Sequence, residues 1–292
     1  MDLLSGLEHI VRANEPLAPF TWFRLGGSAE YFAEPTSIDE LGTLVRRFSE
    51  ADQPIRLLGG GSNVLVRDEG VPGLVIQLSA APFAEINVQG QTITAGGAAK
   101  LGHVISIAAR EGLSGLEQLV GVPGTVGGAL HGNASTHGGD IGQWTRRATV
   151  MTRAGEICTR ERDDLRFAYR QSSLDELVIM AVEFQLEHEN PVEVTKRMQK
   201  LWIVKKSQQP PGDVPTGCIF KDSGGSSAAS LIELAGLKGT AVGGAELSDR
   251  CANFVTVKPG ASSADVLRLV ELVQTQVAER LGVHLEMQID VW

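Results

Sequence analysis

Glycine in this sequence is gathered into short loops rather than spread along the chain. The clusters read LGGGSN at 58–63, GGAAK at 96–100, GVPGTVGGALHGN at 121–133 and GLKGTAVGG at 236–244, within a total of 34 glycines against 12 prolines. Each lies between apolar runs, so none is a flexible linker. Without a β-carbon, a glycine backbone can come close to another backbone or to an anionic ligand. A chain punctuated this way folds as strands and helices joined by tight, amide-rich turns.

The apolar spacing fills in those elements. Ser37 with Glu40 reads as a capping box ahead of Leu41, Leu44, Val45 and Phe48 at helical spacing. Leu101, Val104, Ile105 and Ala108 mark a second helix, stopped by Gly112. Strands are expected at Ile55–Leu58, Val64–Val66, Leu74–Leu78 and 92–97. A strand-rich stretch follows from 148 to 186, turning at Ala154-Gly155. Beyond Asn190-Pro191 come a basic-faced helix and the breaker-rich SQQPPGDVPTG. Strands at Cys218–Lys221 and Phe254–Val257 and a helix around Leu231 and Ile232 are next. A long amphipathic helix begins at Ser262 with Asp265 three residues on, and Leu285–Val291 reads as a closing strand. The pattern is α+β in two parts, residues 1–190 and 191–292.

The charge balance is 26 basic against 35 acidic residues, net −9, with no basic cluster, which excludes a nucleic-acid or anionic-membrane surface. No apolar run is long enough to span a bilayer. The first residues carry acids and no apolar core of a leader, so a cytoplasmic protein is expected. Cys158, Cys218 and Cys251 are odd in number and widely spaced, which fits free thiols and not a disulfide or zinc framework. His131 and His137 read as loop histidines, and no metal is expected.

The GGGSN loop alone suits either a tight turn or a pyrophosphate cradle. It is neither a dinucleotide fingerprint nor a P-loop. A second amide-rich loop, Val122-Pro123-Gly124-Thr125-Val126-Gly127-Gly128-Ala129, points to a large ligand with a diphosphate at its middle. Asn133 and the polar residues after it extend the same surface.

Five motifs then occur in order: TWFRLGGSA at 21–29, LLGGGSNVLVRDEGVPGLVIQL at 57–78, GVPGTVGGALHGNAS at 121–135, FAYRQS at 167–172, and ELAGLKGTAVGGAELSDRCANFVTV at 233–257; a sixth segment, GVHLEMQIDVW, follows at 282–292. From about Pro19 onward the chain resembles the UDP-N-acetylenolpyruvoylglucosamine reductase family, in its compact form without an extra substrate-capping loop. The resemblance implies a two-lobed FAD-binding domain of the PCMH/vanillyl-alcohol-oxidase-like type, followed by a smaller α+β substrate-binding domain. It also implies FAD held by Leu58, Gly59, Gly60, Gly61, Ser62, Asn63, Val122, Pro123, Gly124, Thr125, Gly127, Gly128 and Ala129.

The implied reaction is reduction of UDP-N-acetylglucosamine enolpyruvate to UDP-N-acetylmuramate, with NADPH as reductant, by a monomer serving peptidoglycan synthesis and hence cell shape and division. Arg170 matches the family's arginine that clamps the developing enolate. Tyr169, Lys221, Asp222, Cys251 and Asn253 are expected to face the UDP-sugar. Where the family has G-S-x-F-K-N, this chain reads Gly217-Cys218-Ile219-Phe220-Lys221-Asp222, so the proton donor becomes a thiol. Where the family has L-E-P-E, it reads Leu285-Glu286-Met287-Gln288. The catalytic glutamate position thus holds Gln288, with Glu286 on the same strand face as a stand-in. The alternative is a divergent FAD-binding paralogue with lost or altered reductase activity.

Overall fold

A computed structural model describes residues 3–136, 138–212, 214–223 and 225–292; His137 lies outside the described residues. Two compact units interleave along the chain. The first takes the residues as far as Glu15 with Glu30–Gly60 and Pro72–Lys205; the second takes Pro16–Ala29, Gly61–Val71 and Lys206–Trp292.

In the first unit, five antiparallel strands stand in the order Ile157–Glu161, Thr145–Met151, Val178–Gln185, Thr92–Gly96 and Ile86–Gln89. Helices α1 (Ile38–Glu50), α2 (Leu101–Arg110) and α3 (Val126–His131) belong to the same unit. The spacing 101, 104, 105 and 108 puts one apolar face of α2 into a core with Ile93, Val150 and Val182. A second sheet orders its strands Val11–Pro16, Ser28–Ala33, Val71–Gln77 and Ile55–Leu58, the last two parallel. Leu41, Leu44, Val45 and Phe48 of α1 are buried in a core with Leu74 and Ile76. Ser37 caps α1 as expected, accepting the Glu40 N–H at 3.2 Å. The reciprocal half of the box does not form, because the Glu40 carboxylate takes the N–H and hydroxyl of Thr36 instead, at 2.7 and 2.8 Å.

Helix α4 (Pro191–Gln208) moves the division away from the expected break at residue 190. Val194 is buried, and Met198 and Leu201 pack on the first unit's larger core. Arg197 reaches buried Glu117 at 2.8 Å and Glu189 at 2.7 Å. The hydrogen bonds it donates to Glu189 and then Glu117 hold its guanidinium above its ordinary pKa. Removing Arg197 would strand a buried carboxylate, which fixes the helix to this unit as far as Lys205.

The second unit is built on four antiparallel strands, Thr216–Cys218, Phe254–Val257, Ala245–Leu247 and Ala241–Val242. Their core is shared with α5 (Ala228–Leu234), α6 (Ser263–Leu281) and the early residues Phe23, Leu25 and Leu65. A β-carbon on Gly217 would collide with the Phe23 ring, so TWFRLGG is tied to the later GCIFKD segment by packing. The closing segment is not one strand. Only Asp290–Val291 pairs as a strand, parallel to Val64–Leu65, while Met287 makes a single bridge to Phe220.

The reciprocal capping box of α6 does form. Asp265 accepts from the Ser262 and Gly244 amides at 3.1 and 3.2 Å and from Arg268, and these bonds hold its carboxyl down to about 2. A carboxyl whose folded pKa is depressed contributes stability above its unfolded value of about 4 and loses it as pH falls through the folded value. Asp265→Asn is therefore expected to flatten the acid limb of the urea-midpoint profile between about pH 4 and pH 2. An unchanged limb would show that the box contributes nothing.

Candidate active site

In the first unit, two of the sequence's glycine turns touch backbone to backbone. A β-carbon on Gly60 would stand 2.7 Å from Gly124 Cα, and one on Gly59 would stand 3.0 Å from Thr125 Oγ1. Gly124 itself has φ +102°, a conformation that side chains oppose. The 96–99 cluster lies beneath the second turn: the amides of Val126 and Gly127 donate to Ala99 and Gly97 carbonyls at 2.9 and 2.8 Å, and Leu101 donates to Gly124 at 3.1 Å. Those two α3 amides are thus committed to holding the turn. Leu58 and Ala129 are buried, and Val122 packs against the core, with Pro123 half-buried beside it. Thr125 caps α3 by accepting the Gly128 N–H at 3.4 Å. Gly128 is exposed, and a β-carbon there would meet only Thr125 Oγ1 at 3.5 Å. With these amides engaged, what the exposed Gly128 leaves at the helix start is open space beside the glycine turns, room for a cofactor phosphate.

The other end of α3 holds the arginine. Phe167–Ala168 pairs with Gln171–Ser172, leaving Tyr169 and Arg170 as the two turn residues. Arg170 sits at φ +57°, where glycine or asparagine is the comfortable residue and arginine is strained by about 1 kcal/mol. Its Nε is buried with no hydrogen-bond partner among the described residues, and its guanidinium carbon lies 5.6 Å from the Tyr169 ring centre. A strained backbone with a desolvated, unsatisfied donor makes Arg170 a candidate ligand-binding residue. Asn133, expected on the polar surface, is instead buried: its Nδ2 donates to Ala168 O at 2.8 Å, and its Oδ1 accepts from Gly142 N at 3.1 Å. Ser172 Oγ donates to the His131 carbonyl at 2.8 Å. One short helix therefore joins the glycine turn to the arginine hairpin.

The remaining residues lie in the second unit. Gly61 presses on the Phe20 carbonyl with φ +64°, and its own carbonyl accepts the Trp22 N–H at 2.9 Å. Ser62 is half-buried. Asn63 donates to Gln288 O and accepts from Asp290 N, both at 2.9 Å. Gln288 N donates to Ile219 O at 2.8 Å, so residue 288 is pinned from both sides one position from Cys218.

Cys218 ends its strand with Asn253 Nδ2 at 3.3 Å from Sγ. Asn253 is buried beneath the 218–220 segment and not on its surface. Glu286 is not drawn toward Gln288 or Cys218: its carboxylate pairs with Lys221 Nζ, while its side chain is 73% exposed. The stand-in role expected for Glu286 thus meets a competing solvent-side ion pair. Asp222 accepts from the Ala228 amide at 2.9 Å at the start of α5. Cys251 is half-buried, and desolvation pushes its thiol up, keeping it neutral. The sequence drew attention to Asn253 and Asn133 only as members of motifs, and nothing local in it signals a clamp.

Comparison with known proteins fits this geometry. An FAD binding domain family matches residues 29–160, and the UDP-N-acetylenolpyruvoylglucosamine reductase C-terminal domain matches 209–292. A UDP-N-acetylenolpyruvoylglucosamine reductase of Rhodopirellula baltica is 38% identical over 98% of this chain and 94% of its own length. The chain belongs to the UDP-N-acetylenolpyruvoylglucosamine reductase family. A reductase of that name from Paramagnetospirillum magneticum is 38% identical over 99% of the chain and 94% of its own length. The crystal structure of the Thermus caldophilus reductase superposes with a TM-score of 0.82 at 34% identity, covering 97% of this chain and 98% of that one. Both glycine turns of the first unit lie within the segment matched by the FAD binding domain.

Two substitutions separate a cofactor cradle from a structural turn. A β-carbon on exposed Gly128 meets only Thr125 Oγ1 at ordinary contact distance, and Gly128→Leu is expected to weaken FAD binding at least about tenfold while leaving the melting of the FAD-free protein unchanged. Gly60→Val is expected to lower both. Full FAD retention by Gly128→Leu would make α3 a structural helix only. Arg170→Asn, suited to positive φ, is expected to raise stability by about 0.5–1 kcal/mol in urea titrations while losing activity. An unchanged or lower stability would remove the strain argument.

Proposed function

We propose that the chain is an FAD-dependent, NADPH-reduced oxidoreductase that converts UDP-N-acetylglucosamine enolpyruvate to UDP-N-acetylmuramate in peptidoglycan precursor synthesis. The observation that carries the reading is Arg170, an arginine held in a glycine-like turn with a buried, unpaired Nε. Relatives matched over nearly the whole chain support it.

FAD, when bound, would supply hydride-transfer chemistry between NADPH and the methylene carbon of the enol ether. Gly59, Gly60, Gly124, Thr125 and Gly128 of the first unit would line its phosphates, and Gly61, Ser62 and Asn63 are assigned to FAD from the family's motif. The carbon next to the substrate carboxylate gains negative character as the methylene takes hydride, and it must then receive a proton. Arg170 supplies the charge that stabilises the carboxylate side of that enolate. Cys218 supplies the proton: a thiol, with an ordinary pKa of about 8.5, is a far stronger acid than the hydroxyl at the family's usual position. Tyr169 beside Arg170, Lys221 and Asp222 shortly after Cys218, and Cys251 two positions before Asn253, are the side chains assigned to the UDP-sugar. Gln288 contributes hydrogen bonds but no charge.

Among the described residues no helix is long and apolar enough to cross a membrane. A cytoplasmic monomer acting on a nucleotide-linked sugar, with effects on cell shape and division when lost, completes the proposal.

Stopped-flow reoxidation of reduced flavin by the enolpyruvyl substrate tests it. Cys218→Ala is expected to slow that half-reaction by roughly 10²–10⁴, and Cys218→Ser to keep much of it. Reduction by NADPH serves as the internal comparison. Gln288→Glu changes one atom of a side chain whose backbone is already pinned, and is expected to speed reoxidation by roughly ten- to a hundredfold. No reoxidation in either the natural chain or Gln288→Glu would replace the reductase with a divergent, non-reducing flavoprotein.

A further inference from the structure

We propose that Asn253 is a positioning residue that donates a hydrogen bond to Cys218 Sγ and so holds this thiol as a strengthened acid. The proposal rests on the reading of Cys218 as proton donor, which it deepens.

The orientation of the Asn253 carboxamide is dictated by its neighbours. Oδ1 accepts the Phe220 N–H at 2.9 Å and Nδ2 donates to the Phe220 carbonyl at 2.8 Å. Turning the amide over would set oxygen against oxygen and N–H against N–H, so the assignment of the two atoms is forced. An amide nitrogen carries two hydrogens. With one on the Phe220 carbonyl, the other is the one directed at Cys218 Sγ, 3.3 Å away. Sulfur is therefore the acceptor in this contact. The bond occupies a sulfur lone pair and does not consume the thiol hydrogen, and it strengthens as negative charge grows on sulfur when that hydrogen leaves.

The backbone around the pair makes the geometry rigid. Ile219 N donates to the Asn253 carbonyl at 3.0 Å, and Cys218 is in register with Phe254 across the antiparallel strands. Asn253 is buried, at 6% exposure, so water does not compete for its donors. Along the same stretch Lys221 pairs with Glu286, Asp222 accepts from the Ala228 amide, and Cys251 is a half-buried thiol pushed up by desolvation. Asn253 therefore lies under the reacting segment, in place of the substrate-facing position that its motif suggested.

Alkylation by iodoacetamide, followed at each cysteine by peptide mass from neutral to alkaline pH, reads the three thiols of the full chain at once. Cys218 is expected to titrate below an unfolded cysteine and below Cys251, and to move up to the unfolded value in urea; this arm needs no substitution. Asn253→Ala is expected to raise the Cys218 midpoint by about one pH unit and slow flavin reoxidation by the enolpyruvyl substrate roughly tenfold. The Cys158 midpoint should stay where it was. A Cys218 midpoint at or above the unfolded value in the natural chain overturns the proposal. So does an Asn253→Ala protein that is destabilised while its Cys218 midpoint does not move, because Asn253 then only staples the strand. A shifted midpoint combined with natural reoxidation in Cys218→Ala would keep the hydrogen bond and remove the proton-donor reading beneath it.

Discussion

The first unit is organised around a contact that no side chain makes. The Gly59-Gly60 turn and the Gly124-Thr125 turn meet at a separation where any β-carbon on Gly60 would overlap an α-carbon. The second turn rests in the same way on the 96–99 cluster through paired backbone hydrogen bonds. Beneath that cluster, Gly97 lies so close to the Ile179 carbonyl that it too excludes a side chain. Three glycine clusters thus stack on one strand. Their close packing leaves the start of α3 uncovered at Gly128, and a cofactor phosphate needs such an opening.

From that stack the constraint runs along α3 to the arginine hairpin. The helix starts at the cofactor turn, and its far end holds Arg170 through Ser172 on the His131 carbonyl and through Asn133 on Ala168. A left-handed arginine costs about 1 kcal/mol, and a buried, unpaired Nε adds a desolvation penalty of about 1–3 kcal/mol. Two hydrogen bonds to the hairpin, from Ser172 to His131 at the end of a helix that is itself tied to the core strands and from Asn133 just beyond it, are what keep that arrangement from relaxing. The strain is thus supported by the same elements that build the cofactor turn, and a ligand carboxylate would remove part of it.

The second unit solves a similar problem with one buried amide. Asn253 joins strand Phe254–Val257 to the 218–220 segment and sets the orientation of a thiol in doing so. The neighbouring substitutions relative to the family pattern then become coherent. A cysteine can receive an N–H on sulfur and still offer its proton. Glu286, facing solvent, balances Lys221 and takes no part in that network.

What the sequence determined by itself was everything that depends on neighbours three or four residues away, or on motif order. The apolar faces of α1, α2 and α6, the Ser262–Asp265 capping box and the glycine turns were legible because periodicity, caps and missing β-carbons act locally. Five motifs in order were enough to imply the family and its FAD. The tertiary structure alone decided which distant groups complete each other. Residues 16–29 and 61–71 join the later unit because Phe23 fills the space over Gly217 and Leu65 enters the same core. Helix α4 stays with the earlier unit because Arg197 answers buried Glu117. The segment 285–291 divides its backbone bonds among Ile219, Lys221 and Asn63, with Trp292 just beyond it bonding Leu65, so an apolar run that reads as one strand does not form one. Asn133 and Asn253 look alike in the sequence to any surface amide; burial and partners far along the chain make them clamps, and no local pattern encodes a hydrogen bond to a residue 35 positions away.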